Sequence, residues 1–211
     1  IVISDGSSDG TDEIASRYAS QGVTCYRISG RGGKNVAINK AWPIVKGDLV
    51  VFSDANSLYA KNAIRRLVSR FADERVGCVC GELRYLQATT GTAIGESVYW
   101  KYEQLLKKWQ SRMGEVLVLN GSVFAIRRHL FRELQPKVAN DYQIPVDISS
   151  QGYCIVYEPA AVAYEKVAAC PKDEMKRKAR IIARGFEGFF RSFHRLRGCR
   201  LFMMISQKFI R

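Results

Sequence analysis

Short apolar runs alternate with amphipathic stretches along the first sixty residues of the chain. Apolar runs at 1–4, 23–28 and 49–52 are each followed by residues rich in Gly, Ser or Asp, and the intervening stretches 12–19 and 36–44 have helical spacing. Runs of this length between turn formers predict strands, and strands that alternate with helices predict a doubly wound α/β unit. The run at 49–52 is therefore expected to form a strand buried on both faces of a parallel sheet.

The later part of the chain is organised around a long amphipathic segment, 94–113, which is predicted to be a helix. Its apolar residues, among them Tyr102, Leu105 and Trp109, favour packing in the core over a platform for sugars. The pattern predicts these other elements: helix 61–71, strand 76–80, a polar loop over 81–92, strand 120–126, helix 127–134, helix 140–152, strands 153–158 and 161–164, and helix 173–193. No apolar run reaches the ~18 residues of a membrane span.

Composition indicates a globular domain with a basic end. A chain of 211 residues can bury one full core, and much of its net charge of +13 lies between Pro171 and Arg211, where twelve Lys and Arg accompany three acidic residues. This asymmetry favours contact of the tail with an anionic membrane or a phosphate-bearing ligand over a nucleic-acid surface. The six cysteines lack metal-ligand spacing and are expected to be reduced, as in a cytosolic protein.

Polar residues suited to ligand binding follow the ends of three predicted strands. Asp5 opens a loop rich in Gly and Ser, Lys34 closes a second Gly-rich loop, and Asp54 follows the run 49–52, with Asn56 two residues further on. Ligands of open α/β sheets bind beyond the carboxyl ends of strands, so Asp54 is placed to hold a hard cation with Asn56 as a neutral oxygen ligand. Each feature alone has a plainer interpretation: Asp54 could cap the next helix or form an Asx-turn, and both Gly-rich loops could be ordinary turns.

Taken together, the motifs and their order resemble the nucleotide-sugar domain of the inverting family 2 glycosyltransferases, which include the cellulose, chitin and hyaluronan synthases. The matching stretches run through nearly the whole chain: 2–11, 33–35 with Asn39, 51–56, 120–122 with Arg127 and Arg128, 140–141, and Arg177 with Arg180. The resemblance implies an α/β fold of the GT-A type, with a Rossmann-like mixed sheet flanked by helices. It assigns residues 1–195 to the catalytic domain and implies that the first strand of that domain is missing.

On the donor side, the resemblance assigns a role to each strand-end residue. Asp5 would bind the nucleotide base, and Lys34 would contact the nucleoside or its phosphates. Asp54, with Asn56, would hold Mg²⁺ or Mn²⁺ on the diphosphate. Asn56 stands where the family usually has a second acid, which lowers the negative charge of the expected metal site.

On the acceptor side, the resemblance makes Asp141 the general base that takes the proton of the acceptor hydroxyl. The same resemblance gives three residues that would line the acceptor: Asn120, Gly121 and Ser122. Asp141 lies at the predicted start of a helix, where the helix dipole favours an ionised carboxylate. Asp141 could also be no more than the N-cap of that helix.

A closing helix is expected to carry Arg177 and Arg180, which would face the leaving diphosphate. In the synthases this position has the motif Gln-x-x-Arg-Trp, and here Arg177 replaces the Gln and Ile181 the Trp, so processive extension is not implied. The two arginines could instead belong to a solvated basic face, because several lysines surround them.

The sequence thus predicts a metal-dependent inverting glycosyltransferase that moves a sugar from a nucleotide donor, expected to be UDP-linked, to a hydroxyl of a glycan or lipid-linked acceptor. Two other classes are weighed against it. One is a catalytically silent domain that binds nucleotide or glycan as a scaffold. The other is a nucleic-acid-binding protein, which is disfavoured because the aromatic residues among the basic ones fall in a predicted helix rather than on a strand platform.

The end of the chain, residues 196–211, alternates apolar and basic side chains. Such a segment is expected to lie on a membrane surface. The resemblance implies that spanning helices follow it and that the catalytic domain lies on the cytoplasmic side. The alternative is an ordinary amphipathic helix packed on the domain.

Overall fold

The computed structural model describes residues 1–86 and 93–166 and Glu187, with side chains in the second range described from residue 102 onward. The strands are β1 (Val2–Asp5), β2 (Cys25–Ile28), β3 (Leu49–Ser53), β4 (Leu58–Tyr59), β5 (Val76–Leu86), β6 (Val123–Arg127) and β7 (Cys154–Lys166). The α-helices are α1 (Thr11–Ser16), α2 (Lys34–Ala41), α3 (Ala63–Ser69), α4 (Ala93–Arg112) and α5 (Asn140–Ser150). Short 3₁₀ turns cover Ala19–Gln21, Trp42–Ile44, Arg70–Ala72 and Arg128–Leu130.

The strands form two groups. β1 and β2 pair in parallel, and the other five strands form a mixed sheet in the order β3-β6-β5-β7-β4. Within that sheet β5 and β7 run parallel, whereas β6 runs antiparallel to both of its neighbours, β3 and β5. The mixed sheet flanked by helices confirms the predicted fold class.

The prediction that the run at 49–52 lies inside a parallel sheet was wrong. β3 is the edge strand of the five-stranded sheet, pairs antiparallel with β6 and is only half-buried. Its side chains nevertheless contact apolar clusters on both faces: Val50 and Phe52 pack against one, Leu49 and Val51 against the other. An apolar run indicates that both faces of the strand are covered by other parts of the protein, but it does not indicate the direction of the neighbouring strand.

Two further predictions, on strands β5 and β7, were wrong. Residues 81–86, predicted to begin a polar loop, instead continue β5 to Leu86, because β5 pairs with β7 along its length. The two predicted strands 153–158 and 161–164 are one strand, β7, whose register against β5 shifts at Gly81/Glu82. A bulge of this kind lets a strand accommodate extra residues without ending.

The predicted helix 127–134 was also wrong, because only the 3₁₀ turn Arg128–Leu130 forms there. The chain beyond the turn is held by side chains of α2. The amide of Asn39 donates to the carbonyl of Leu134 at 2.8 Å and accepts the N–H of Leu134 at 2.9 Å, while the amide of Asn35 donates to the carbonyls of Gln135 and Val138. Backbone groups bound in this way cannot also form helical hydrogen bonds.

The helix α4 forms as predicted, but the expected burial of its apolar residues was wrong. Tyr102, Leu105 and Trp109 are all more than half exposed, and polar side chains face the sheet instead. None of the helices in the described ranges combines the length and hydropathy needed to cross a bilayer.

We expect Asn39→Ala to lower the free energy of unfolding by about 1–3 kcal/mol, because it leaves the backbone N–H and carbonyl of Leu134 without their partner. Urea denaturation followed by circular dichroism measures the change. The matched control is Lys40→Ala on the same helix, where the side chain is exposed and the change should stay within about 0.5 kcal/mol. Equal stability of the two variants would contradict the role assigned to Asn39.

Candidate active site

The carboxylate of Asp5, at the end of β1, organises the second Gly-rich loop. Its two oxygens accept the backbone N–H groups of Gly32 at 2.9 Å and Gly33 at 2.7 Å. The neighbouring Gly6 has φ +67°, and a Cβ there would lie 2.7 Å from the carbonyl oxygen of Gly30, so only glycine fits. The first and second loops are thereby held against each other at one end of the β1–β2 pair.

The ordered loop leads directly to Lys34, the first residue of α2, whose ammonium forms an ion pair with the carboxylate of Asp54. The structure thus brings together the three predicted donor-side residues, Asp5, Lys34 and Asp54. Both side chains of the pair are about two-fifths exposed (41% and 38%), so the pair adds little to stability and stays accessible to a ligand. The alternative that Asp54 caps the next helix is wrong, because α3 begins at Ala63 and has no side-chain cap.

The loop that follows Asp54 is held from β7 by a buried acid that the sequence analysis missed. Ser57 donates its hydroxyl to the carboxylate of Glu165 at 2.7 Å, and its backbone N–H donates to the carbonyl of Asp54 at 3.1 Å. Glu165 is buried in the sheet, whereas Asn56, the predicted neutral ligand, is exposed. The loop therefore has a fixed base and an open tip.

The chemistry of this loop suits a divalent cation shared with a phosphorylated ligand. In residues 1–86 and 93–166 no three His, Cys, Asp or Glu side chains come together as a metal cage. Mg²⁺ and similar ions are commonly held by one or two carboxylates together with substrate phosphates, which matches the accessible Asp54 with Asn56 beside it. The residues fit a cation bound jointly by Asp54 and a diphosphate.

Tyr59 connects the end of β3 with the residues before β6. Its hydroxyl lies 2.9 Å from the carbonyl oxygens of both Phe52 and Ser122. Burial raises the pKa of Tyr59, and the Asp54 carboxylate raises it further, against the opposing effect of a hydrogen bond with Ser53. The phenol therefore remains protonated as a donor and keeps the predicted donor-side and acceptor-side segments adjacent.

On the acceptor side, Gly121 lies directly against Asp141. A Cβ at Gly121 would sit 3.6 Å from the Cβ and 3.7 Å from Oδ2 of Asp141, so any side chain at residue 121 would pack against this carboxylate. Asp141 is the second residue of α5, whose N-cap is Ala139. The alternative that Asp141 is the N-cap is therefore wrong, although its position in the first turn still favours the ionised form.

The backbone of Asp141 is tied to the sheet through an unusual feature of α5. Pro145 lies inside the helix and has no N–H to donate to the carbonyl four residues earlier. That carbonyl, of Asp141, accepts the N–H of Leu119 at 3.0 Å instead. The segment before β6 and the first turn of α5 are thereby joined next to the carboxylate.

Asn120 forms three hydrogen bonds, one of them with Lys107, which belongs to no recognisable sequence motif. Its amide oxygen accepts from the ammonium of Lys107, its amide nitrogen donates to the carbonyl of Gly81, and its backbone N–H donates to the sulfur of Cys80 at 3.2 Å. Burial raises the pKa of the Cys80 thiol, and the charge of Lys107 opposes that rise. The sequence carries no signal for this buried lysine, because a polar stripe at helical spacing ordinarily indicates the solvent-exposed face of a helix.

Ser122, the third predicted acceptor-side residue, is only 2% exposed. Within the described part of the chain its hydroxyl has no hydrogen-bond partner, and its carbonyl accepts from Tyr59. Arg177 and Arg180, like the segment 196–211, lie outside the described residues, and their roles stay predictions.

Two curated relatives match most of this chain. Over 182 residues the chain is 27% identical to a probable glycosyltransferase, YdaM, of Bacillus subtilis, covering 79% of this chain and 42% of the relative. Over 202 residues it is 23% identical to the poly-beta-1,6-N-acetyl-D-glucosamine synthase of Staphylococcus aureus, covering 92% and 48%. The chain thus spans about half the length of these two relatives.

Solved structures show the same fold. The mannosyltransferase PcManGT of Pyrobaculum calidifontis, in complex with GDP-Man and Mn²⁺, aligns with a TM-score of 0.79 at 21% identity, over 98% of this chain and 58% of that one. The glucosyl-3-phosphoglycerate synthase of Mycobacterium tuberculosis, in complex with Mn²⁺ and UDP-glucose, aligns with a TM-score of 0.55 at 21% identity, over 87% and 65%. The fold is therefore of the GT-A type.

The family assignment follows from the sequence model of Glycosyl transferase family 2, which matches residues 1–135, more than half of the chain. The matched range contains the strand-end loops of Asp5, Lys34 and Asp54 and the acceptor-side segment at Asn120 and Gly121. The chain belongs to Glycosyl transferase family 2.

Proposed function

We propose that this domain transfers a sugar, with inversion, from a nucleoside diphosphate sugar to a hydroxyl group during polysaccharide or glycoconjugate synthesis. The observation that carries the proposal is the adjacency of two half-sites. The Lys34–Asp54 ion pair is accessible at the end of β3, and Asp141 lies against Gly121 beside the start of β6. Tyr59 bonds to both segments.

The donor half-site would bind the diphosphate. Lys34 offers an ammonium at the first turn of α2, and Asp54 is the carboxylate for Mg²⁺ or Mn²⁺, with Asn56 beside it. When bound, the cation offsets the charge that develops on the leaving diphosphate. The ion pair of Lys34 with Asp54 would open as the phosphates and cation bind, so each side chain exchanges one charged partner for another.

The nucleoside would lie nearer to Asp5, whose carboxylate shapes the loop that ends at Lys34. We propose a uridine donor, which is supported by the resemblance to the synthases and by the UDP-glucose complex of a structural neighbour. The GDP-Man complex of the other neighbour makes guanosine the first competitor to test.

The acceptor half-site would remove a proton. Inversion needs one carboxylate to take the proton of the acceptor hydroxyl while its oxygen attacks the anomeric carbon from the side opposite the diphosphate. Asp141 fits this role because it lies against Gly121 of the proposed acceptor side and in the first turn of α5, where the helix dipole favours an anion. Asn120, fixed by Lys107, would line the same side, and Arg177 with Arg180 would approach the diphosphate.

The acceptor is proposed to be a glycan or a lipid-linked sugar, and the domain to work at the cytoplasmic surface of a membrane through its basic segment 196–211. A catalytically silent scaffold is the competing function. A screen of nucleotide sugars with Mn²⁺ separates the two, because an active domain releases nucleotide from its own donor, with water or added acceptor as the second substrate. Thermal stabilisation by a donor without any turnover would favour the scaffold.

We expect Asp54→Asn to weaken Mn²⁺-dependent binding of UDP by about tenfold or more, because an amide replaces the charged ligand, while the fold is kept. Titration calorimetry with UDP in the presence and absence of Mn²⁺ measures the loss. Asp73→Asn is the matched control, since Asp73 is an exposed acid that also pairs with a basic side chain, Arg75. If both variants bound UDP like the wild type, Asp54 would have no part in the metal site.

Asp141→Asn should lower the rate of sugar transfer by about 10²-fold or more and leave donor affinity nearly unchanged, because the amide keeps the size of the carboxylate but not its basicity. Single-turnover assays give the rate, and calorimetry gives the affinity. A melting temperature equal to that of the wild type shows that the variant is folded. Transfer at the wild-type rate would assign the base to another residue.

A further inference from the structure

In the described part of helix α4, polar side chains are buried against the domain and large apolar side chains are exposed, which is the reverse of an ordinary amphipathic helix on a sheet. Between residues 102 and 113 its buried side chains are polar, namely Glu103, Lys107 and Gln110, which are 4–8% exposed. Four of the five apolar side chains between residues 102 and 113 are 53–62% exposed, namely Tyr102, Leu105, Trp109 and Met113, which directly follows the helix; the fifth, Leu106, is half-buried. A surface helix normally buries its apolar stripe, so an exposed stripe of this kind indicates a surface that binds a partner or a membrane.

The inward polar face fixes this orientation through hydrogen bonds to the domain. Gln104 donates to the carboxylate of Glu82, and Lys107 donates to Asn120. Ser111 accepts the backbone N–H of Tyr157 at 2.8 Å. Turning the helix over would leave these buried groups without partners, which is costly, so the apolar stripe cannot retreat into the core.

The chemistry of the outward face is apolar and cationic. Among residues 102–113 the exposed charged side chains are Lys108 and Arg112, and the acid of this stretch, Glu103, is buried. By helical geometry the two cations lie along one edge of the apolar stripe, which runs about 17 Å from Tyr102 to Met113. Trp and Tyr combine a large apolar ring with a polar group and are enriched at the boundary between lipid and water.

We propose that this face of α4, formed by Tyr102, Leu105, Lys108, Trp109, Arg112 and Met113, docks the domain on an anionic phospholipid bilayer. The apolar side chains enter the headgroup region, and the two cations contact lipid phosphates. Among residues 102–113 the exposed face carries no acid that the bilayer would repel, and the net charge of +13 adds long-range attraction. This docking does not depend on the proposed sugar transfer.

Docking through α4 has a consequence for the site. The opposite face of the helix carries Lys107, which bonds Asn120, the residue next to Gly121. One helix therefore separates the membrane from the segment beside Asp141. Under the proposed function, the bilayer would lie at a fixed distance from Asp141, and a lipid-linked acceptor would reach that carboxylate from the bilayer surface.

The test measures binding of the full chain to vesicles of phosphatidylcholine with and without phosphatidylglycerol, by sedimentation. The double variant Leu105→Ser/Trp109→Ser should lower the partition coefficient on anionic vesicles by about tenfold or more. The matched control is Ile64→Ser/Val68→Ser, a pair with the same four-residue spacing on α3, 54% and 40% exposed, which should bind like the wild type. No sugar transfer enters this readout, so its failure is distinct from failure of the proposed activity.

A second variant, Lys108→Glu/Arg112→Glu, keeps the apolar stripe and lowers the net charge from +13 to +9. It should weaken the preference for phosphatidylglycerol and the salt dependence of binding, because two cations at the proposed lipid contact become anions. Melting temperatures close to that of the wild type establish that the variants are folded. If the apolar variant is not folded, the charge variant alone decides the test. Wild-type binding by a folded variant of either kind would overturn the proposal.

The same measurements distinguish two alternatives to docking through α4. One is membrane contact by the tail, and the other is an interface between two copies of the chain. If Phe202→Ser/Phe209→Ser in the tail abolished binding while the α4 variants bound normally, the tail would be the membrane contact and the proposal would fail. If the apolar α4 variant changed a dimer to a monomer in analytical ultracentrifugation without changing vesicle binding, the face would be an interface between two copies, which also overturns it.

Discussion

The antiparallel placement of β6 between β3 and β5 is the constraint on which the site depends. A strand that runs against its neighbours begins where they end, so the residues before β6 must lie beside the end of β3. The register pairs Ser53 with Val123, which sets Asp54 close to the segment 120–122. Donor-side and acceptor-side residues about seventy positions apart in sequence therefore share one edge of the sheet.

A single helix, α2, joins the two half-sites mechanically. Its first residue is Lys34, and the next residue, Asn35, and Asn39 one turn further hold the backbone of 134–138. That segment leads directly into α5 and hence to Asp141. A shift of α2 on binding a diphosphate would be transmitted through hydrogen bonds to the chain that carries the proposed base.

The sequence predicted the donor-side cluster well, because each of Asp5, Lys34 and Asp54 follows a local signal, an apolar run that ends in turn formers. Local signals do not encode strand direction, so the edge position of β3 and its antiparallel partner were missed. The failed helix at 127–134 has a similar cause, because Arg127 still belongs to β6 and the backbone of Leu134 is bound by Asn39, about a hundred residues away. Helical periodicity likewise located α4 but not its inward face, which is decided by buried partners on β5 and beyond it.

Pro145 has a consequence for the motion of the site. Residues in the first turn of a helix usually move with the helix axis, because their carbonyls are bonded to the next turn. The carbonyl of Asp141 is bonded to Leu119 instead, across the gap that Pro145 leaves in the ladder. Asp141 is therefore tied to the segment that precedes β6, two residues from Gly121, and its carbonyl is released from the ladder of α5.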